Sequence, residues 1–262
     1  MDKKSVTIGL VGGSGKMGQW FRRFFTAAGY SVEIAGRRTA LTPVELAKKS
    51  QVLIVTVPIA VTCATIKELG PYLAKDALFM DLTSLKKEPV EAMLKYSEAE
   101  VVGTHPLFGP RERSLKGKNI VLCPARGKRW LPWLKDLFGS YGGHVQIMSP
   151  DEHDRAMAIV QGLVHTAHMA VGLTIAGSKI PLYTLEGAAT PNFRKKMEQV
   201  RRLFSQDPAL YAQMLFYNPY VLPVLESYMD NLHRLVSAVR QKDSAAIEKV
   251  FAGVRLYIKS GN

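Results

Sequence analysis

The sequence predicts an α/β fold: a doubly wound, mostly parallel sheet over residues 1–148, followed by an all-helical domain over residues 149–262. Up to residue 148, short apolar segments alternate with segments in which bulky residues recur at helical spacing. Strands that are apolar on both faces and alternate with helices are typical of a parallel sheet that is covered on both sides. Beyond residue 148 no strand pattern follows, so the rest of the chain is predicted to be helical.

The first domain is predicted from the order of these segments. Strands are expected at 6–11, 31–35, 51–57, 77–82, 101–104, 119–123 and 144–148. Helices are expected after the glycine-rich loop at 12–18 and then at 60–73, 86–96 and 129–141. The crossovers between parallel strands should be right-handed.

The second domain is predicted to begin with a long apolar helix over 149–178. Ser149 and Glu152 form a capping-box pattern, and Pro150 suits the first helical turn. Further helices are predicted at 191–204, 208–216, 219–241 and 243–259. Because a helix that is apolar on all sides must be covered on all sides, we expect two chains to share a core here as a homodimer.

Charge and composition narrow the class of protein. The 262 residues carry a net charge of +13 and include two cysteines. The basic residues are scattered, without a zinc-finger spacing, an aromatic RNA-binding motif or a basic tail, so no nucleic-acid partner is expected. We also find no long apolar run and no signal-peptide pattern, so no membrane association is expected. Cys63 and Cys123 are interpreted as reduced core residues of a cytoplasmic protein.

A G-x-G-x-x-G motif lies between the first strand and the first helix, and consists of Gly13, Ser14, Gly15, Lys16, Met17 and Gly18. Gly13 is interpreted as allowing the tight turn, Gly15 as admitting a pyrophosphate, and Gly18 as letting the helix pack against the sheet. The free N–H groups at the start of that helix would face the phosphates. Between a strand and a helix, the motif indicates a dinucleotide-binding domain of the Rossmann type. A glycine-rich turn without a ligand is the alternative.

The residues after the second strand bear on the choice of cofactor. An NAD-binding domain usually has an Asp or Glu there to bind the ribose 2′-hydroxyl. This chain has Arg37 and Arg38 instead, and guanidinium groups bind a 2′-phosphate where a carboxylate would repel it. We therefore favour NADP over NAD. The alternative is that one or both arginines point into solvent.

Residues 103–111, GTHPLFGPR, place a histidine at the end of a predicted strand. Because proline disfavours helix before it and cannot continue a central ladder, Pro106 should hold His105 on a stiff loop. Ligands of doubly wound sheets bind at the carboxyl ends of the strands, where a neutral imidazole suits proton transfer. A surface-loop histidine is the alternative.

Five segments together resemble the prephenate dehydrogenases of the TyrA type. They are GGSGKMG (12–18), DLTSLKK (81–87), THPLFGP (104–110), EHDRAMAIVQGLVH (152–165) and RRLFSQDPALYAQM (201–214). The resemblance implies oxidative decarboxylation of prephenate to 4-hydroxyphenylpyruvate with NAD(P), in tyrosine biosynthesis. It also implies a dinucleotide-binding domain followed by a helical dimerisation domain. No chorismate mutase segment or regulatory domain is recognised, so a monofunctional enzyme is expected.

The resemblance further implies roles for single residues. His105 would be the catalytic base, and Ser84 would bind both the substrate hydroxyl and that histidine. Arg202 would hold a substrate carboxylate, Arg194 would be a second cation, and His165 would lie near the substrate. From the residues alone, Ser84 equally suits a helix N-cap, the arginines suit a charged helix surface, and His165 suits a core position.

Several alternatives stay open. His165 and His168 are three residues apart, but no third ligand has sensible spacing, so no metal site is expected. Arogenate, or the 4-amino-4-deoxy analogue of prephenate, would suit the same scaffold. A non-catalytic NADP-binding sensor is a further alternative. Coenzyme F420-dependent NADP reductases also have a glycine-rich loop and an arginine pair after the second strand. They should lack the HPLFGP segment, so its presence here argues against that class. The role of the charged segment 111–113 is left open.

Overall fold

The computed structural model describes residues 3–260. Its strands are β1 (Thr7–Val11), β2 (Ser31–Ala35), β3 (Val52–Val55), β4 (Leu78–Asp81), β5 (Glu100–Pro106), β6 (Asn119–Arg126) and β7 (His144–Ile147). They form a seven-stranded sheet in the order β2-β1-β3-β4-β5-β6-β7. Neighbouring strands from β2 to β5 are parallel, β6 is antiparallel to β5, and β7 is parallel to β6. The prediction of a mostly parallel sheet is confirmed.

Helices cover both faces of this sheet. They are α1 (Lys16–Ala27), α2 (Pro43–Lys49), α3 (Ile59–Leu69), α4 (Lys87–Tyr96) and α5 (Trp130–Ser140). Phe21 of α1 and Trp130 of α5 belong to one buried cluster together with Ile54 of β3. Ile66 of α3 belongs to a second cluster together with Val55 of β3. Because successive side chains of a strand point to opposite faces, the two clusters lie on opposite sides of the sheet, as a doubly wound fold requires.

The second half of the described chain is helical. Its helices are α6 (Pro150–Met157), α7 (Val164–Gly177), α8 (Leu182–Gly187), α9 (Pro191–Phe204), α10 (Pro208–Phe216), α11 (Val221–Gln241) and α12 (Ser244–Ser260). A π-helical segment, Ala158–Leu163, joins α6 to α7 without a break. The capping box of Ser149 and Glu152 is present as predicted.

Two short helices, α2 and α8, were not predicted. The start of α2 nevertheless carries the same signal as the start of α6. Thr42 accepts a hydrogen bond from the backbone of Glu45, whose carboxylate accepts one from the backbone of Thr42, and Pro43 occupies the first turn. The seven residues of α2 are too few to show a helical period, so the capping pattern was the only local evidence.

Strand β5 is longer than predicted and includes the histidine that was expected on a loop. His105 pairs with Val121 and Pro106 pairs with Ile120 of β6, whereas pairing with β4 ends at Gly103. Proline is tolerated in this strand because one of its edges is unpaired beyond Gly103. The expectation of a loop at His105 is therefore wrong, and the strand itself holds the imidazole.

The joined helix Pro150–Gly177 corrects the expectation that the chain has no long apolar segment. With 28 residues, it is long and apolar enough to cross a membrane by length and composition alone. The charged residues of this helix are concentrated in its first turns, at 151–155, and an apolar stretch follows. His153 and Asp154 in those first turns are buried, so this end of the helix is anchored within the protein.

Candidate active site

The predicted site residues of the first domain lie at one edge of the sheet. The glycine-rich loop follows β1, Ser84 lies in the loop between β4 and α4, and His105 is near the end of β5. These strands are parallel, so their carboxyl ends meet at the same edge. The chain order also reverses at β1, which has β2 on one side and β3 on the other. Ligands of doubly wound folds bind at this kind of switch point.

The glycine-rich loop is built for close approach of backbone. The positive φ of the turn, +80°, falls on Gly12 and not on Gly13, which corrects the role given to Gly13. A Cβ on Gly13 would lie 2.6 Å from the side chain of Ile34, and one on Gly18 would lie 2.6 Å from the Cα of Gly13. A larger residue at position 13 would therefore clash with β2, and one at position 18 would push α1 away from the glycine-rich loop.

The same loop fits the pyrophosphate of a dinucleotide. Gly15 is the N-cap of α1, and no side chain caps the first N–H groups of that helix. A Cβ on Gly15 would lie 3.2 Å from the carbonyl oxygen of Gly12 and would fill the space in front of the helix. Open N–H groups at a helix start attract phosphate. The residues present therefore fit the cofactor that the motif implies.

Arg37 and Arg38 are exposed in the loop that follows β2. Their loop starts beside the glycine-rich loop, since a Cβ on Gly36 would lie 3.9 Å from the hydroxyl of Ser14. The two arginines are thus adjacent to the phosphate-binding loop, and their contact with a 2′-phosphate remains a prediction.

His105 is almost fully buried, with 3% of its surface exposed. Its Nδ1 lies 2.8 Å from Nε2 of His153 in α6, and among residues 3–260 its Nε2 has no hydrogen-bond partner. Burial, followed by the charges of His153 and Lys86, holds the pKa of His105 well below its usual value. The imidazole is therefore neutral near neutral pH, which is the form that accepts a proton.

Asp154 connects this histidine pair to the loop of Ser84. Its Oδ1 lies 2.7 Å from Nδ1 of His153, and its two carboxylate oxygens accept the backbone N–H groups of Lys86 and Lys87 at the start of α4. Asp154, and not Ser84, therefore caps α4, so the interpretation of Ser84 as that helix's N-cap is wrong. The side chain of Ser84 is half-buried.

A buried ion pair lies beneath the site. Nζ of Lys86 donates to Oδ2 of Asp81 and to the carbonyl oxygen of Thr104, at 2.9 Å for the latter, and both charged side chains are fully buried. Oδ1 of Asp81 has no hydrogen-bond partner. This pair links the ends of β4 and β5 to the loop that carries Ser84.

The helical domain brings a second group of predicted residues together. The ring of His165 lies edge-on to the ring of Tyr211, with centroids 4.8 Å apart. The charge of Arg202 reaches Tyr211, where it opposes the rise in pKa that burial causes. Lys118, and after it Arg202, lower the pKa of Glu112, which follows the HPLFGP segment. Arg202, His165 and this loop therefore belong to one region.

Arg194 lies elsewhere in the single chain. It lines a cavity of about 360 Å³ together with Glu186, Ala189, Phe193, Met197 and Arg201. Arg201 is ion-paired to Glu186. Residues seven apart on an α-helix differ by about 20° around its axis, whereas residues eight apart differ by about 80°. Arg194 therefore shares its side of α9 with Arg201 and not with Arg202.

Sequence reasoning missed four residues of the site: His153, Asp154, Lys86 and Asp81. All four stand inside segments that carried the family resemblance. The capping box at Ser149 was the available signal, because it places His153 and Asp154 in the first turns of a helix. No group of three or more potential metal ligands is found in the described residues, and His168 is bound to Gln199 at 3.0 Å.

Known proteins resemble this chain over nearly its whole length. Two family models match it: the prephenate dehydrogenase nucleotide-binding domain over residues 28–147 and the prephenate dehydrogenase dimerization domain over residues 149–253. A probable arogenate/prephenate dehydrogenase of Methanocaldococcus jannaschii is 30% identical over 95% of this chain and 60% of that protein. The T-protein of Haemophilus influenzae is 32% identical over 95% of this chain and 66% of that protein. The chain thus spans about two thirds of the length of these relatives or less.

A solved structure gives the same fold. It is prephenate dehydrogenase from A. aeolicus in complex with hydroxyphenyl propionate and NAD+, which is 21% identical over the full length of both chains, with a TM-score of 0.78. The two family models together cover most of the chain, and they match the two halves that the structure shows. The chain therefore belongs to the TyrA-type prephenate dehydrogenase family.

Proposed function

We propose that this chain catalyses the oxidative decarboxylation of prephenate to 4-hydroxyphenylpyruvate with NADP+, as a step of tyrosine biosynthesis. One observation carries the proposal. A buried, neutral histidine stands at the sheet edge that also holds a phosphate-binding loop, and its Nε2 is free of protein partners in the described chain. A base held dry beside a dinucleotide site suits removal of a hydroxyl proton during hydride transfer.

The chemistry assigns each proton and electron pair. When bound at the glycine-rich loop, the nicotinamide cofactor supplies the hydride acceptor. Nε2 of His105 accepts the proton of the substrate's ring hydroxyl while the carbinol carbon gives its hydride to the acceptor. The bond to the ring carboxylate then breaks, CO2 leaves, and its electron pair makes the ring aromatic. His105 returns its proton to the phenolate oxygen and is neutral again. Ser84 is proposed to orient the hydroxyl toward His105.

Substrate binding needs fixed cations because prephenate is a dianion. Arg202 is proposed to hold one carboxylate, with His165 beside it, since both lie in the region next to the HPLFGP loop. Arg194 is proposed as a second cation, although in the single chain it lines a cavity away from Arg202. The net charge of +13 favours an anionic substrate in general.

The assembly is proposed to be a cytoplasmic homodimer through the helical domain. Large apolar side chains are exposed along its helices, among them Leu173, Tyr183, Phe216, Leu222, Val239, Leu256 and Tyr257. A surface of this kind is typical of an interface between subunits. The match to a dimerization domain supports the same assembly. The two free cysteines suit a reducing compartment.

The test is steady-state reduction of NADP+ and NAD+ with prephenate, with arogenate and with the 4-amino-4-deoxy analogue, by the protein and by His105→Asn. We expect turnover with prephenate and a higher kcat/KM for NADP+ than for NAD+. Loss of a general base should lower kcat by about 100- to 10,000-fold, while NADP+ binding is retained. His144→Asn, at an exposed histidine of β7, is the matched control and should leave kcat unchanged.

Each result decides between substrates. Turnover with arogenate alone would keep the mechanism but change the pathway step. Turnover with the 4-amino-4-deoxy analogue alone would move the enzyme to the amino substrate. A protein that binds NADP+ and turns over none of these compounds would contradict the proposed function and favour a sensor.

A further inference from the structure

Three buried groups form a hydrogen-bonded line behind His105 and join the two domains. Nδ1 of His105, in β5, lies 2.8 Å from Nε2 of His153, in α6. Nδ1 of His153 lies 2.7 Å from Oδ1 of Asp154. All three residues are at most 3% exposed. Hydrogen bonds in such a dry environment are strong, and an unmatched donor or acceptor there would be costly.

We propose that His153 and Asp154 are positioning residues that hold His105 in one neutral tautomer, with the proton on Nδ1 and the lone pair on Nε2. This inference rests on the proposed function for its catalytic meaning. The tautomer itself is a property of the protein without substrate, so it is open to a separate measurement.

Asp154 determines which atom donates and which accepts in each bond of the hydrogen-bonded line. Its carboxylate accepts the backbone N–H groups of Lys86 at 2.8 Å and Lys87 at 2.9 Å, at the start of α4, where negative charge is favoured. Each oxygen of this carboxylate already acts as an acceptor of a backbone N–H, so Nδ1 of His153 is the donor in their bond. A neutral His153 then has its lone pair on Nε2, and accepts the proton that Nδ1 of His105 carries.

Both imidazoles are neutral near neutral pH, which makes this direction unique. Burial holds the pKa of His105 well below its usual value, and the charges of His153 and Lys86 act in the same sense. Burial also lowers the pKa of His153, against the opposing hydrogen bond of Asp154. A neutral imidazole has one donor and one acceptor, so fixing one ring nitrogen fixes the other.

Helix capping does not explain His153. Asp154 would cap α4, and Asn218 would still donate to the carbonyl oxygen of Asp154 at 2.8 Å, with an apolar residue at position 153. The bond from His153 to the base is additional to these contacts. It also supports the reaction. When Nε2 of His105 takes up a proton, the imidazole becomes positively charged. His153 then connects this charge to the carboxylate of Asp154, which stabilises it.

Two substitutions of His153 separate positioning from packing. His153→Gln retains an oxygen that accepts the Nδ1 proton of His105, whereas His153→Leu fills the space without an acceptor. We expect kcat to fall by about 100-fold or more in His153→Leu but by less than about tenfold in His153→Gln, with KM changed by less than about threefold in both. His168→Leu in α7 is the control, because His168 has no contact with this line, and its kcat should stay unchanged.

The tautomer is read directly by ¹⁵N NMR of the histidine rings in the free protein, with the His105 signals assigned by their loss in His105→Asn. We expect a protonated Nδ1 on His105 in the native protein and in His153→Gln. A protonated Nε2 in the native protein would overturn the proposal, as would equal losses of kcat in His153→Gln and His153→Leu. Because this spectrum needs no substrate, it decides the matter even if the proposed function fails, and the reading of the native protein does not depend on either substitution of His153.

Discussion

At the scale of single residues, the buried pair of Lys86 and Asp81 gives a prediction for stability. Both side chains are fully buried, and Oδ1 of Asp81 has no partner. In Lys86→Met the stem keeps its packing, but the carboxylate of Asp81 is left uncompensated. We expect the free energy of unfolding to fall by about 3–5 kcal/mol, measured by urea denaturation.

An exposed pair provides the matched control for Lys86→Met. Lys75 and Glu98 lie 3.7 Å apart, with side chains 82% and 74% exposed, so Lys75→Met should change stability by less than about 1 kcal/mol. The double variant Lys86→Met/Asp81→Asn should recover at least half of the loss, because no unpaired charge remains. Equal effects of Lys86→Met and Lys75→Met would show that the buried pair does not stabilise the fold.

Arg37 and Arg38 carry the prediction on cofactor preference. If they bind the 2′-phosphate, Arg37→Ala/Arg38→Ala should lower kcat/KM for NADP+ by about 10- to 100-fold, the scale of one or two charge-assisted hydrogen bonds. The value for NAD+, which has no 2′-phosphate, should change by less than about threefold on the same reasoning. The measurement is steady-state kinetics with each cofactor at saturating prephenate.

A second arginine pair controls for the loss of charge alone. Arg22 and Arg23 are exposed on α1. Arg22→Ala/Arg23→Ala removes the same charge as the variant of Arg37 and Arg38 and should leave the ratio of the two cofactors unchanged. If both double variants lower the NADP+ value equally, the effect comes from net charge and not from a phosphate contact.

The residues of the site that local sequence revealed are those whose neighbours in the chain explain them. The glycine motif is recognisable because it lies between a strand and a helix, and His105 because a proline follows it. Asp154 is different, since its role depends on the backbone N–H of Lys86, which is 68 residues away in sequence. No local pattern reports such a contact, so the line behind His105 emerged only from the fold.

At the scale of elements, the long regular helices were predictable and the short ones were not. Helices α9 and α10 have the predicted bounds, 191–204 and 208–216, since each begins with a capping residue followed by proline. Helices α2 and α8 have seven and six residues, which is too short for a helical period to emerge. The extension of β5 through Pro106 depends on which edge of the strand is paired, and local sequence does not contain that information.

The contact between the π-helical segment and α11 gives a prediction at this scale. A Cβ on Gly162 would lie 2.7 Å from Cγ2 of Val221, a branched side chain with little rotamer freedom. Gly162→Ala should therefore destabilise the protein by about 1–3 kcal/mol through overpacking, although alanine favours helix. The measurement is the midpoint of urea denaturation.

Gly139→Ala is the control for Gly162→Ala. Gly139 lies in α5, and nothing is within 4 Å of the position of its Cβ. There the substitution should stabilise the protein by up to about 1 kcal/mol, because alanine loses less backbone entropy than glycine. A stabilising Gly162→Ala would show that α11 is free to move away from the π-helical segment.

At the scale of the whole molecule, the two halves differ in how much apolar surface they expose. The nucleotide-binding half buries its large aromatic side chains between helices and sheet. In the helical half, α7 and α12 have no fully buried residue in the single chain. Leu173 of α7 and Phe251, Leu256 and Tyr257 of α12 are exposed. Exposed apolar surface of this extent is typical of a subunit interface, and it supports the proposed dimer at the level of the fold.

Charged substitutions on this outer surface test the dimer. Val239 of α11 and Phe251 of α12 are exposed in the single chain, so Val239→Asp/Phe251→Asp should leave the fold of each subunit intact but place carboxylates in the interface. We expect sedimentation velocity to show a dimer for the native protein and a monomer for the variant at micromolar concentration. Ile147→Asp, an exposed apolar position on β7, is the control and should remain dimeric. A native monomer would contradict the dimer, whereas a variant that stays dimeric would move the interface to other helices of the domain.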